Sequence, residues 1–156
     1  MSTQNKTDYK MLNEQLKALA KSEPFFIPLL SNASSLINEN LDDLNWAGFY
    51  LMRDGGLVLG PFQGKVACIK IALGKGVCGT AAKEDKTLVV DNVHEFAGHI
   101  ACDCASNSEI VVPLHKDGKV IGVLDIDSPS LNRFSDEDKA GLEEFASILE
   151  AALIFE

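Results

Sequence analysis

The segment EIVVPLHKDGKVIGVLDID (109–127) constrains the fold of this chain more than any other. Two runs rich in β-branched residues are separated by Asp117-Gly118, the pattern of a β-hairpin. Side chains alternate along a strand. Ile121, Val123, Asp125 and Asp127 therefore share one face of the second run. Val120, Leu124 and Ile126 take the other, with Gly122 between them. Both faces are apolar through the middle, so this strand belongs inside a sheet that is covered on both sides. Two aspartates at its end then stand beside a buried pocket instead of open solvent.

The turn decides whether Glu109 joins them. A two-residue Asp117-Gly118 turn pairs Lys116 with Lys119 and sets Glu109 opposite Ile126, facing away from the aspartates. A three-residue loop with Gly118 in the left-handed bulge position pairs His115 with Lys119 and sets Glu109 opposite Asp125. Both forms suit Asp-Gly. The three-residue form is the expectation, because it keeps Val111 and Pro113 on the face shared with Val123 and Ile121. Three carboxyl groups within reach of one another cannot all ionise easily, and at least one pKa should rise. A carboxylic acid kept neutral at pH 7 can donate a proton. The plainer reading, a strand that ends in acids at the solvent, fits the same residues.

The remaining segments complete an α+β domain. Met11, Leu12, Leu16, Leu19 and Ala20 have helical spacing within 8–20. A second helix is expected over 23–41, with Ser22 as cap, Pro24 in its first turn and a kink at Pro28. WAGFYLMR (46–53), Asp54-Gly55-Gly56 and LVLGPFQG (57–64) read as another hairpin. Gly74, Gly76 and Gly79 mark a tight turn into a short helix, TLVVD (87–91) is a short strand, and 92–108 is a loop. Ser135, followed by Asp136, Glu137 and Asp138, caps a final helix. Helices at both ends of an antiparallel sheet give two or three layers.

Composition narrows function by exclusion. The net charge of −9 over 156 residues argues against a nucleic-acid partner, which needs a basic patch. No apolar run approaches the roughly 20 residues that cross a bilayer. The polar MSTQNKTDYK start lacks a signal-peptide core, so a cytoplasmic location is expected. In that compartment four cysteines do not form a structural disulfide framework.

Inert thiol, metal ligand and redox centre remain as readings of those cysteines. Cys102 and Cys104 in ACDCAS are spaced too closely for a zinc knuckle and have no second pair. His94 and His99 lie near, yet no metal site and no cofactor is expected. Cys68 and Cys78 read as core or turn residues. The glycines around Cys78 leave backbone N–H groups free to lower its pKa. Position in a polar loop favours Cys102 or Cys104 as nucleophile. Trp46, the only tryptophan, is either core or an apolar wall against a ligand methyl group.

From Trp46 to Phe134 the chain resembles the free methionine-(R)-sulfoxide reductases, enzymes built on one GAF domain. The matching blocks are NWAGFYL (45–51), LVLGPFQGKVACIKI (57–71), GKGVCGTAA (74–82), VDNVHEFAGHIACD (90–103), SNSEIVVPL (106–114) and GVLDIDSP (122–129). The resemblance implies a single GAF domain over 1–156, with N-terminal helices in 1–42, a six-stranded antiparallel sheet and active-site loops in 46–128, and a C-terminal helix in 135–155. It implies Cys102 as nucleophile, and Cys68 and Cys78 as resolving and recycling thiols, with Cys68 the usual disulfide partner. It places Glu109, Asp125 and Asp127 around the sulfoxide and Trp46 against the substrate methyl. Cys104 departs from the family pattern and leaves the partner of Cys102 open. Thioredoxin is the implied reductant. The apolar positions of 142–155 suggest a homodimer. The competing readings are a GAF module that binds a cyclic nucleotide or similar ligand, and a thiol redox sensor without substrate.

Overall fold

The computed structural model describes residues 6–98 and 106–155. Helix α1 (Tyr9–Ser22) starts where the Asp8 carboxylate accepts a hydrogen bond from the Met11 N–H. Helix α2 (Phe26–Asn40) follows. Ser22 is thus the last residue of α1 and does not cap α2. Pro28 lies in the first turn of α2, where a backbone N–H has no intrahelical partner to lose, so the cause expected for a kink is missing. Strands β1 (Trp46–Arg53) and β2 (Gly56–Gly64) form the first hairpin. Then come β3 (Lys70–Ala72), α3 (Gly76–Glu84), β4 (Leu88–Val90), β5 (Ser108–Lys116), β6 (Lys119–Ser128) and α4 (Asp136–Ala152). Ser135 caps α4, and Asp138 answers it in a reciprocal capping box.

The six strands lie in the order β3-β2-β1-β6-β5-β4, and every neighbouring pair is antiparallel. β6 is central, as its two apolar faces require. Leu124, Ile126, Ile110, Val112 and Phe49 pack beneath α1, α2 and α4, around Leu16, Leu30, Ile37, Phe145 and Leu149. Val123, Val111, Tyr50 and Trp46 face the other way, against Val77, Ala81 and Ala82 of α3. The apolar positions of α4, including Leu142, Phe145, Leu149 and the following Leu153, are buried in this core. Those four are spent within the protomer, whereas Ile154 stays 47% exposed and Ile148 is only partly buried.

The β5–β6 hairpin corrects the expected register. Asp117 and Gly118 both have positive φ (53° and 75°), so the turn has two residues and is of type I′. Lys116 pairs with Lys119 and His115 with Val120, but Leu114 then pairs with Gly122. Ile121 is an extra residue, a bulge that flips the alternation. From there Glu109 falls opposite Asp127, and Val111 opposite Asp125. Glu109 shares the aspartates' face after all, by a bulge and not by a longer loop. Ile121 packs on the helical side and Val120 on the α3 side, the reverse of simple alternation.

One polar cluster ties three elements together away from that face. His115 Nδ1 lies 2.9 Å from Glu150 Oε2 of α4, and its Nε2 meets Asp85 at the end of α3. The hydrogen bond with Asp85 raises the imidazole pKa above 6.5, against partial burial and with help from Glu150. A raised histidine pKa adds stability that is fully present below about pH 6.5 and is lost as pH rises through the folded-state value. His115→Gln should therefore flatten the fall in Tm between about pH 6 and pH 9. Parallel Tm curves for the two proteins would refute the linkage.

Candidate active site

The β1–β6–β5 register builds the site row by row. Trp46 of β1 stands directly opposite Asp127 of β6, and Asp127 stands opposite Glu109 of β5. In the next row, Gly48 faces Asp125, which faces Val111. Opposed residues on one face have Cβ atoms about 5 Å apart. Three carboxyl groups and an indole are thus forced together by pairing alone. Above them sits the start of α3, which brings Cys78 over the acids with its Sγ 3.9 Å from Glu109 Oε2.

These groups line one cavity together with Tyr50, Lys75 and Ser106. Trp46 forms its wall. The indole is buried, stacks on Phe62 at 5.1 Å and on Tyr50 at 5.9 Å, and donates from Nε1 to the Lys65 carbonyl. The Tyr50 hydroxyl donates to the Cys68 carbonyl at 2.9 Å, which fixes the β2–β3 connection over the cavity. Gly48 leaves room for this packing, since a Cβ there would lie 2.3 Å from the Phe62 Cβ.

The electrostatics are those of crowded, dry acids. Burial raises the Glu109 pKa well above its ordinary value, and the charges of Asp125 and Asp127 add to it. Burial also raises that of Asp125, although hydrogen bonds from Glu109, Asp127 and Cys78 partly offset the shift. One Asp125 oxygen, Oδ1, is buried with no hydrogen-bond partner among the described residues. Protons are therefore retained in the cluster at a pH where exposed carboxyls have lost them. The Tyr50 phenol, pushed up by burial and then by Asp125, stays protonated as a donor.

Cys78 does not carry the lowered pKa expected from its glycines. Burial comes first and the Asp125, Glu109 and Asp127 charges follow, and together they push its thiol well above the ordinary range. Its place in the first turn of α3 cannot outweigh three acids at close range. It is a free thiol, whereas Cys68, half-buried between β2 and β3, is disulfide-bonded. Cys102, Cys104 and His99 lie outside the described residues. His94 is placed elsewhere, with Nε2 3.0 Å from Asn107 Oδ1 on an exposed loop. Cys78 Sγ and one oxygen each of Glu109 and Asp125 lie within 4.8 Å of one another, close enough to share a cation.

The structure brings together Trp46, Cys78, Glu109, Asp125 and Asp127 of the residues singled out from sequence. Tyr50, Lys75 and Ser106 were missed. Alternation from Trp46 through Gly48 to Tyr50 was the available signal for the tyrosine. Lys75 and Ser106 had none, because each reaches the cavity only through loop geometry.

A model of the GAF domain family matches residues 29–153. The free methionine-R-sulfoxide reductase of Escherichia coli K12 is 53% identical over 150 residues, covering 96% of this chain and 91% of that protein. The reduced form of fRMsr from Staphylococcus aureus superposes with a TM-score of 0.95 at 55% identity, covering 99% of this chain and 100% of that one. The free methionine-R-sulfoxide reductase of Neisseria meningitidis, solved with its substrate, gives 0.89 at 42% identity, covering 92% of this chain and 87% of that one.

Proposed function

The chain belongs to the GAF domain family, and we propose that it is a free methionine-(R)-sulfoxide reductase, converting the free amino-acid sulfoxide to methionine by cysteine chemistry. The observation that carries this reading is the row Trp46–Asp127–Glu109 on three adjacent strands, closed over by α3 into one acid-lined cavity. Substrate sulfoxides need a proton on oxygen as the S–O bond breaks. A buried carboxyl held neutral supplies it. Trp46 offers an apolar face to the methyl group.

In the proposed cycle the Cys102 thiolate attacks the sulfoxide sulfur. A neutral carboxyl among Glu109, Asp125 and Asp127 protonates the oxygen. Methionine departs, and the S–OH is left on Cys102 as a sulfenic acid. The substrate sulfur gains the two electrons that Cys102 loses. The Cys68 thiol then condenses with the sulfenic acid, forming a Cys102–Cys68 disulfide and releasing water. A dithiol protein, thioredoxin in our reading, restores both thiols by exchange. Cys78, free and with its pKa raised, sits on the cavity wall as a hydrogen-bonding thiol in this scheme. We place the enzyme in the cytoplasm, consistent with the need for a reducing partner. Among the described residues no helix is long and apolar enough to cross a membrane. The three sets of residues, 1–42, 46–128 and 135–155, act in this scheme as one domain.

The cyclic-nucleotide reading is disfavoured by charge. Among the described residues lining the cavity Lys75 is the one basic side chain, beside three acids, whereas phosphate recognition calls for converging cationic donors. The decisive assay is NADPH consumption with thioredoxin, thioredoxin reductase and each epimer of free methionine sulfoxide, beside a peptide-bound sulfoxide. Turnover confined to the free R epimer is expected. A protein that oxidises to the disulfide yet releases no methionine from either epimer would instead be a redox sensor.

A further inference from the structure

From Gly55 through Lys83 the chain has no aspartate or glutamate and four lysines, in a protein with 23 acidic residues and net charge −9. This acid-free stretch runs along β2, the β2–β3 connection, β3 and α3, and it contains the disulfide-bonded Cys68. Lys65, Lys70 and Lys75 are exposed, and none of them forms an ion pair among the described residues. Apolar side chains lie between them in sequence: Val66, which with Lys75 also borders the acid-lined cavity, is 90% exposed, Ile69 68% and Leu73 38%. Val66 and Ile69 lie two residues before and one after Cys68. Isolated exposed apolar residues are ordinary, but a cluster rimmed by polar groups marks an interaction surface.

We propose that this basic and apolar collar is the docking surface for the electron donor, an acidic dithiol protein with an apolar rim around its own nucleophilic cysteine, and that the donor attacks the Cys68 sulfur. The inference rests on the reductase reading above and names the partner surface for it. Charge fixes the kind of partner. A basic patch on an otherwise acidic molecule steers an acidic protein to one face and repels it from the rest. The same lysines stabilise a thiolate as it approaches, which favours attack at Cys68. The donor thiolate forms a mixed disulfide with Cys68 and expels the sulfur formerly bonded to it as a thiolate. The second donor thiol, once deprotonated, attacks the donor sulfur of that mixed disulfide. Cys68 leaves as a thiolate, and the donor departs oxidised. Two electrons pass from donor to enzyme, and no other reductant is needed.

Two measurements test this with the full chain. In the first, Ile69→Gln/Lys70→Glu is compared with the unaltered protein using purified acidic thioredoxin as donor. The KM for thioredoxin should rise by about tenfold, and its salt dependence should weaken. Turnover driven by dithiothreitol, which needs no docking, and the KM for the sulfoxide should be unchanged. In the second, thioredoxin lacking its resolving cysteine is reacted with the oxidised protein, and the mixed disulfide is mapped by mass spectrometry. Attachment at Cys68 is expected. An unchanged thioredoxin KM in the variant, or attachment at another cysteine, would overturn the proposal. So would a dimer that the substitutions dissociate while donor kinetics stay the same, since the collar would then serve self-association. Loss of dithiothreitol-driven turnover in the unaltered protein would instead refute the reductase reading itself.

Discussion

Cys102→Ser protein is expected to release no methionine from the free R sulfoxide above background, a loss of at least about 10³-fold in kcat/KM. A serine hydroxyl remains protonated at neutral pH and cannot form the sulfenic acid on which every later step depends. The other cysteines should fail differently. Cys68→Ser should release about one equivalent of methionine per chain and then stall, because the sulfenic acid has lost its condensing thiol. Dimedone labelling of Cys102 would register that stalled species. Cys78→Ser should still oxidise to a disulfide that includes Cys68, because Cys78 is free in the folded chain while Cys68 is bonded. Its thiol, pushed up first by burial and then by the Asp125, Glu109 and Asp127 charges, is also a poor nucleophile. Single-turnover methionine release with mass analysis separates the three variants. Steady turnover by Cys102→Ser, or loss of the disulfide in Cys78→Ser, would remove the assigned roles.

Much of the scaffold is legible in local chemistry. Asp54-Gly55 and Asp117-Gly118 each supply two positive-φ residues, and the turns they make are the hairpin turns such dipeptides favour. Ser135 with three following acids caps α4 as its residues suggest. The double apolar face of β6 places it at the centre of the sheet. Register was harder to read. The bulge at Ile121 depends on how β6 meets β1, since a Cβ on the neighbouring Gly122 would lie 2.5 Å from the Tyr50 carbonyl oxygen. A glycine inside a strand signals a bulge or a close backbone approach. That cue was present at Gly122, but it does not say which neighbouring residue is the extra one.

The site was legible where it is made by pairing and not where it is made by loops. Asp125 and Asp127 follow from alternation, and Glu109 follows once the register is known. Cys78 illustrates the limit. Its flanking glycines suggested a lowered pKa, a local argument. The acids that raise it come from β5 and β6, 31 or more residues away in sequence. Electrostatics at a buried centre is a property of the assembled fold.

The acid cluster therefore sets stability against function, and Glu109→Gln is the substitution that separates them. Glu109 has a folded-state pKa raised by burial and by its two acidic neighbours. The folded state then binds more protons than the unfolded state above the ordinary glutamate value. Stability from this group is fully present at low pH and is lost as pH rises through the folded-state pKa. A glutamine carries no charge at any of these values. The variant should melt at a higher temperature than the unaltered protein at pH 8, and the difference should shrink as pH falls towards about 4.5. Activity should move the opposite way. Removing a proton donor from the cluster should lower kcat by about 10²-fold or more. What turnover remains in the variant should fall off at a different alkaline pH, because one member of the coupled set is gone. Thermal melts and kcat profiles across pH 4.5–9 test both halves. A variant less stable at pH 8 would mean that the carboxylate is satisfied by partners stronger than its repulsions. A variant with unchanged kcat would move proton donation to Asp125 or Asp127.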